Sequence, residues 1–232
     1  MMDKQLKPPY ISKIDEKGNL KIWIVDGSYI RAHIDEEFTN FGQHYRYTYI
    51  PEDEFWLDQE AGDDERKFFT DHVLIEHRLM KDGKSYGDEL YEADKAERNE
   101  RRHAGDIKNI TDHGKKLPDF RDVHVELWKK LENGISVWIV NGRMIRSVFD
   151  IDFTAGGHDK VYEFVPEKEV WIDDAIIEKE RGYVLVHELH ERNRMAEGLP
   201  YSKAHDESSH IEYHCRHHPD ELHDALAAEG WA

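Results

Sequence analysis

The sequence predicts an α+β protein built from two copies of one domain. A shift of 115 residues places Trp23 on Trp138 and Trp56 on Trp171, and 26 of the 75 residues from 23 to 97 are then identical without a gap. A repeat of this length is too long for a solenoid and indicates a tandem domain duplication. In each copy, short runs with strand character precede runs of helical period. We therefore expect a small antiparallel sheet followed by a two-helix hairpin in each copy.

The first half of each copy has the pattern of short β-strands. An apolar run ends at an Asp-Gly or Asn-Gly dipeptide, which is the strongest short signal for a β-hairpin. Further apolar runs follow, and a proline separates the last two, where a missing backbone donor is tolerated. The predicted strands are residues 21–25, 29–34, 45–50 and 54–57 in the first copy and residues 136–140, 144–149, 160–165 and 169–172 in the second.

The second half of each copy has helical period. Gly83 and Gly198 fit the left-handed residue that ends a helix, and Pro200 suits a first helical turn. The short glycine turn predicts that the two helices on either side of it pack as an antiparallel hairpin. The predicted helices are residues 65–80 and 85–102 in the first copy and residues 178–195 and 200–214 in the second, with a short terminal helix at 219–230.

The repeat and the composition together divide the chain. Residues 1–102 form the N-terminal copy, and residues 123–232 form the C-terminal copy with a histidine-rich tail. Residues 103–122 contain Gly, Pro, Asn and mixed charge without periodicity, which is typical of a linker. Each copy is then close to the commonest domain size.

The composition excludes several classes of protein. A net charge of -18 argues against a nucleic-acid partner, because phosphate binding needs a cationic surface. No run approaches the ~20 apolar residues that span a bilayer. The single cysteine, Cys215, rules out an intramolecular disulfide and suits a reducing compartment. We expect a soluble, cytoplasmic protein without membrane contact, and the sequence leaves its oligomeric state open.

The second copy contains a candidate metal site. His187 and Glu191 are four residues apart on a predicted helix, so their side chains share one face. Glu188 is rotated by about 100° from His187. That position suits a general base for a metal-bound water. His205 lies on the following helix and completes a set of three ligands with an open fourth position if the two helices pack antiparallel.

Residues 178–212 resemble the core of the zincin-type metallohydrolases, whose signature is HExxH on a helix with a third ligand downstream. The present motif is HExxE, so Glu191 stands at the position of the second histidine, and His205 stands where one branch of that family has a carboxylate. The resemblance implies that His187, Glu191 and His205 bind zinc and that Glu188 removes a proton from water.

The first copy differs from the second at this site, and the difference supports two interpretations. It has Val73 in place of Glu188 and Leu90 in place of His205, as expected for a copy that has lost a metal site. It nevertheless retains four side chains that are compatible with hydrogen bonding and packing between helices. These are His72, Glu76, Tyr86 and Glu97, which match His187, Glu191, Tyr201 and Glu212.

Two functional hypotheses follow from the sequence. The first is a zinc-dependent hydrolase with its site in the C-terminal copy. The alternative is a non-enzymatic acidic protein that binds or inhibits a protein or peptide partner, or mimics a nucleic acid, and whose His and Glu pairs are structural. Asp150, Asp152 and His158 flank the Gly156-Gly157 turn and are candidates for lining a cleft, although the first copy repeats the acid-x-acid pattern, which favours a role in the turn.

Overall fold

The structure is a computed structural model that describes residues 7–84, 86–104 and 119–231. Contacts along the chain divide it into two compact units, residues 1–109 and 110–232. Most of the predicted linker at 103–122, and the predicted helix start at residue 85, lie outside the described residues. Each unit has a four-stranded sheet followed by helices, so the predicted α+β class is confirmed.

Both units have the same order of elements. In the first unit these are β1 (Tyr10–Lys17), β2 (Leu20–Val25), α1 (Gly27–His33), β3 (Phe41–Gln43), β4 (Glu54–Asp58), α2 (Arg66–Lys81) and α3 (Tyr86–His103). The second unit begins with a 3₁₀ turn at Phe120–Val123 and continues with β5 (His124–Lys130), β6 (Ser136–Val140), α4 (Gly142–Val148), β7 (Gly156–His158), β8 (Glu169–Asp173), α5 (Glu178–Ala196), α6 (Tyr201–His217) and α7 (Leu222–Ala228).

Each sheet is mixed rather than wholly antiparallel as predicted. The strand orders are β1-β2-β4-β3 and β5-β6-β8-β7, and the central pair of each sheet is parallel, with Trp23 opposite Trp56 and Trp138 opposite Trp171. The outer pairs are antiparallel. The reason is that an outer strand, β3 or β7, lies between the two central strands along the chain. The chain reverses its direction before and after this outer strand, so the second central strand runs parallel to the first.

The Asp-Gly and Asn-Gly dipeptides begin helices instead of hairpin turns. The side chain of Asp26 accepts a hydrogen bond from the backbone N–H of Tyr29 at 3.1 Å, and Asn141 accepts one from Met144 at 2.8 Å. These are N-cap interactions, for which Asp and Asn are among the best residues. The second strand predicted in each copy is therefore wrong, because those residues form α1 and α4.

The glycines of these dipeptides are required by close packing. Neither Gly27 nor Gly142 has the positive φ that a hairpin turn of this type needs. A Cβ at Gly27 would instead overlap the carboxylate of Asp58, and a Cβ at Gly142 would overlap that of Asp173. Glycine thus allows the start of a helix to approach the end of the neighbouring central strand.

Two further strand predictions differ from the structure. The residues predicted as strands at 45–50 and 160–165 form turns. The aromatic side chains of these turns that pack under one face of the sheet are Tyr47 and Tyr49 in the first unit and Tyr162 and Phe164 in the second. None of the outer strands was predicted. β1 and β5 have exposed, charged sequences with little apolar alternation, and β3 and β7 have only three residues each.

The predicted helices are confirmed to within a few residues of their ends. Gly83 and Gly198 have φ values of +83° and +98°, which fits the left-handed residue that ends a helix. In the described part of the chain, no helix has the length and apolar content needed to cross a membrane.

The central strands are buried on both faces. Successive residues of a strand point to opposite faces of the sheet, and nearly all residues of β4 and β8 are buried. In the second unit, one face packs against α5 and α7 through Leu185, Leu189 and Leu226. The other face packs against α4 and the turn after β7 through Ile145 and Val165. The sheet thereby fixes α5, which carries most of the candidate site.

Candidate metal centre

The candidate centre lies in the second unit, where α5, α6 and β7 meet. His187, Glu188 and Glu191 are on α5, His205 is on the first turns of α6, and His158 ends β7. The helices α5 and α6 pack along their length around the Gly198 turn, and this hairpin brings His205 back to α5. The structure therefore brings together all the residues that the sequence predicts for the site.

Three potential ligand atoms converge between α5 and α6. His187 Nε2 is 3.7 Å from Glu191 Oε2 and 3.2 Å from His205 Nδ1, and His205 Nδ1 is 2.8 Å from Glu191 Oε2. Ligands about 2.05 Å from a tetrahedral zinc ion lie about 3.3 Å from one another. The three atoms are thus close enough together to be potential ligands of a single metal ion. Glu191 is buried, whereas the side chain of His205 is 36% exposed, so the triangle opens toward solvent on the α6 side.

A series of charged side chains orients the ring of His187 through Nδ1, on the side of the ring away from Glu191 and His205. His187 Nδ1 contacts Glu212 Oε2 at 2.9 Å, and Arg216 donates to the other oxygen of Glu212 and to Glu180. Burial opposes the charged form of His187, but hydrogen bonds with Glu191 and Glu212 outweigh it and raise its pKa to about 10. A carboxylate behind an imidazole is the usual way in which a protein orients a histidine ligand.

The same chain of contacts is present in the first unit. His72 Nδ1 contacts Glu97 Oε2 at 2.7 Å, and Arg101 donates to Glu97 and to Glu65. Each of these residues lies 115 positions before its equivalent in the second unit. The network is therefore a property of the fold, and it stands in the first unit without a complete set of ligands.

Glu188 is a buried carboxyl group without a hydrogen bond to any other described residue. It is 9% exposed and packs against Gly156, where a Cβ would lie 3.0 Å from its Cγ and Oε1. Burial raises its pKa to about 8. The positive charge of His187 acts in the opposite direction, and the charges of Glu191 and Glu212 add to the increase. A buried carboxyl group without a partner lowers the stability of the folded protein. Such groups with strongly shifted pKa values are concentrated at functional sites.

His158 and Glu191 form a second group of potential ligands with Glu188. His158 Nε2 is 2.9 Å from Glu191 Oε1, and the backbone N–H of Lys160 is 3.1 Å from His158 Nδ1. Among the described residues, two sets have ligand atoms within 4.8 Å of one another, namely His187 with Glu191 and His205, and His158 with Glu188 and Glu191. Both sets share Glu191.

The first unit replaces the distinctive residues of this centre as a group. Val73 is fully buried where the second unit has Glu188, and the ring of Phe41 occupies the place of Gly156, with its centroid 4.9 Å from that of His72. The other replacements are Leu90 for His205 and Gln43 for His158. In the first unit, apolar side chains thus fill the space that the carboxyl group of Glu188 and its neighbours occupy in the second unit.

Sequence reasoning missed two parts of the centre. It named His158 only as a candidate for lining a cleft, whereas His158 is fully buried against Glu191, and it did not identify Arg216 or Glu180. The repeat contained the signal for both. Arg216 and Glu180 are identical between the copies, and His158 changes to Gln43 together with the loss of the other site residues.

Two other expectations concern the surroundings of the site. The match with Tyr86 favours a core position for Tyr201, but this interpretation is wrong, because Tyr201 is 49% exposed and its ring stacks on that of His205 with the centroids 5.5 Å apart. Asp150 accepts a hydrogen bond from the backbone of Asp152 at 3.0 Å, and Asp35 repeats this contact in the first unit, as expected for a turn.

Comparison of the chain with protein-family models, curated proteins and solved structures finds no match.

Proposed function

We propose that the second unit binds zinc through His187, Glu191 and His205, and that it catalyses hydrolysis with Glu188 as the general base. The observation that carries this proposal is the convergence of three ligand atoms, 2.8 to 3.7 Å apart, beside a buried carboxyl group that has no hydrogen bond within the described chain. The first unit lacks two of these four side chains while it keeps the surrounding network.

The donor set favours zinc. Two imidazole nitrogens and one carboxylate oxygen form a borderline-soft set that zinc binds well, and a site with three protein ligands leaves a fourth position open. The pKa of about 10 keeps the His187 ring protonated at neutral pH in the absence of a cation, so Nε2 must lose its proton before it can bind one. Glu212 remains behind His187 and keeps the ring oriented toward the other two ligands.

Glu188 is suited to accept a proton beside the ion. Zinc acts as a Lewis acid and makes a water molecule that it binds more acidic. The pKa of Glu188 is about 8 without a cation, and a positive charge nearby lowers the pKa of a carboxyl group. Glu188 is therefore expected to be ionised at neutral pH when zinc is bound, with a basicity well matched to general base catalysis.

The surroundings of the triangle are consistent with access from the α6 side. Gly156 stands where the first unit has Phe41, and the side chain of Glu188 packs against it, so β7 leaves room for this carboxylate beside the triangle. On the other side, the side chain of His205 is 36% exposed and Tyr201 is 49% exposed. Water and a small part of a substrate would therefore reach the ion past His205.

The first test is metal analysis of untagged protein after dialysis against a weak chelator. We expect one zinc ion per chain in the wild type, no zinc in His187→Ala, and full zinc content in His72→Ala, the matched variant of the first unit. A wild type without zinc, or zinc that survives His187→Ala, would show that the histidine and glutamate pairs are structural.

The second test separates binding from chemistry. Glu188→Gln keeps the shape of the side chain and removes its basicity, so we expect unchanged zinc content and a 10²- to 10⁴-fold lower kcat in a hydrolase screen on peptide, ester and amide substrates. Loss of zinc in Glu188→Gln would instead make Glu188 a ligand. His205→Ala should weaken zinc binding, because it removes one of three ligands.

A non-enzymatic acidic binding protein remains a second candidate. The observation that favours it is the His72, Glu97 and Arg101 network, which the first unit maintains without a complete ligand set. Such a protein would bind a basic partner through its charge of -18, and the association would weaken steeply with salt. An association that does not depend on salt would argue against this candidate.

A further inference from the structure

The role of His158 determines whether the centre holds one metal ion or two. Glu191 presents one oxygen to each group of potential ligands, since Oε1 faces His158 and Oε2 faces His187 and His205. A carboxylate in this position can bridge two ions, as in two-metal hydrolytic sites. It can equally bind a single ion through one oxygen while a neighbouring side chain holds the other.

The direction of the hydrogen bonds of His158 distinguishes these arrangements. The backbone N–H of Lys160 points at His158 Nδ1 over 3.1 Å, so Nδ1 is an acceptor and carries no proton. In the neutral ring, the proton is then on Nε2, which donates to Glu191 Oε1 at 2.9 Å. A metal ion at Nε2 needs the lone pair that this proton occupies. His158 is fully buried, which keeps its ring in this orientation.

The first unit makes the same two contacts with a different residue. Gln43 Oε1 accepts a hydrogen bond from the backbone N–H of Tyr45 at 2.7 Å, and Gln43 Nε2 donates to Glu76 Oε1 at 3.3 Å. The glutamine amide nitrogen is a donor and is not a metal ligand. His158 and Gln43 are chemically different, yet each accepts a hydrogen bond from the backbone and donates one to the equivalent glutamate, Glu191 or Glu76.

We infer that His158 is a positioning residue that donates to Glu191 Oε1, directs Glu191 Oε2 alone toward the metal, and limits the centre to one ion. The number of ions rests on the proposed function. The direction of the hydrogen bond rests only on the contacts of His158 and on their repetition in the first unit.

The inference is tested by metal titration of three variants of the full chain. His158→Gln reproduces the first unit, so we expect zinc affinity close to that of the wild type, one ion per chain and an unchanged visible spectrum of the Co²⁺ form. His158→Ala removes the donor, and loss of such a supporting contact lowers metal affinity 10- to 100-fold. Gln43→Ala is the matched control and should leave zinc affinity unchanged.

Two results would overturn the inference. One is binding of two ions by the wild type with loss of one of them in His158→Gln. The other is an Nδ1–H tautomer of His158, because it would contradict the assigned direction of the hydrogen bond to Glu191. The tautomer is measured by ¹⁵N NMR of the metal-free wild type, in which we expect Nε2–H. If the wild type binds no zinc, the proposed function fails, while the NMR measurement still decides whether His158 donates to Glu191.

Discussion

At the scale of single residues, the site depends on groups that lie behind the ligands. Glu212 fixes the ring of His187 through Nδ1, and Arg216 fixes Glu212. The pKa of Glu212 is about 2, because hydrogen bonding with His187 and the charge of Arg216 outweigh the effect of burial. The imidazole of His187 is therefore held in one orientation, which would reduce the entropy lost if it binds a metal ion.

The first prediction concerns this orientation. Glu212→Gln removes the negative charge behind His187, so we expect zinc affinity to fall 10- to 100-fold, measured by competition with a chromophoric chelator. Glu97→Gln makes the same change in the network of the first unit and should leave zinc affinity unchanged. Equal losses in both variants would mean that the effect is a general loss of structure.

The second prediction concerns acid stability of the first unit. Burial alone would raise the pKa of Glu97, but its hydrogen bond with His72 and the charge of Arg101 outweigh burial and lower it below 4.5. The ionised carboxylate thus stabilises the fold above about pH 4.5, and this contribution is lost as the pH falls through the folded-state pKa.

Glu97→Gln tests this contribution. The variant breaks a buried charge network, so its free energy of unfolding at pH 7 should be lower than that of the wild type by about 3 kcal/mol. The difference should shrink as the pH is lowered below 4.5, measured by urea unfolding at a series of pH values. A difference that is constant with pH would assign the effect to packing.

At the scale of elements, the junction between helix and strand explains why local signals were misleading. Asp-Gly and Asn-Gly favour hairpins when both turn residues have positive φ. Here the first residue caps a helix and the second allows close approach of Asp58 or Asp173, which is paired with a buried arginine in each unit. The same dipeptide satisfies either geometry, and only contacts from distant strands select between them.

The third prediction follows from this junction. Gly142→Ala places a methyl group against the carboxylate of Asp173, which Arg146 holds at 2.6 Å, so the second unit should lose about 2 kcal/mol of stability. Gly27→Ala should have the same effect on the first unit, and each variant should lower only its own transition in calorimetry. A variant with wild-type stability would show that the strand end can move away.

At the scale of the whole molecule, duplication has produced two units with one framework and different interiors. Both keep the parallel central strands, the buried Arg–Asp pair and the His–Glu–Arg–Glu network. They differ where the long helix, α2 or α5, faces the outer strand and the next helix. The positions that differ there are those of Glu188, His205, His158 and Gly156. The framework is therefore separable from the candidate site that one unit adds to it.

The fourth prediction uses this separation. A ligand that binds only the folded second unit stabilises that unit alone, by about 2.7 kcal/mol at a free zinc concentration 100 times the Kd. For a domain of this size, that corresponds to a rise in Tm of roughly 10 °C. We expect zinc to raise only the transition that Gly142→Ala lowers. A shift of both transitions would indicate a site outside the proposed centre.

The sequence by itself determined the duplication, the α+β class, the helices and the candidate ligands. Twenty-six identities at one constant shift define the repeat. The periodicity of α2, α3, α5 and α6, with Gly83 after α2 and Gly198 after α5, is a local property of the chain. His187 and Glu191 are one helical turn apart, so their common face needs no tertiary information.

Only the tertiary structure decided the parallel central strands, the capped helices and the contacts around Glu191. Strand direction depends on where a crossover returns, and a run of apolar residues is the same in either direction. His158 and His205 reach Glu191 from 33 and 14 residues away along the chain. Such distances are set by packing of the helices on the sheet, because long-range contacts leave no periodic signal in the sequence.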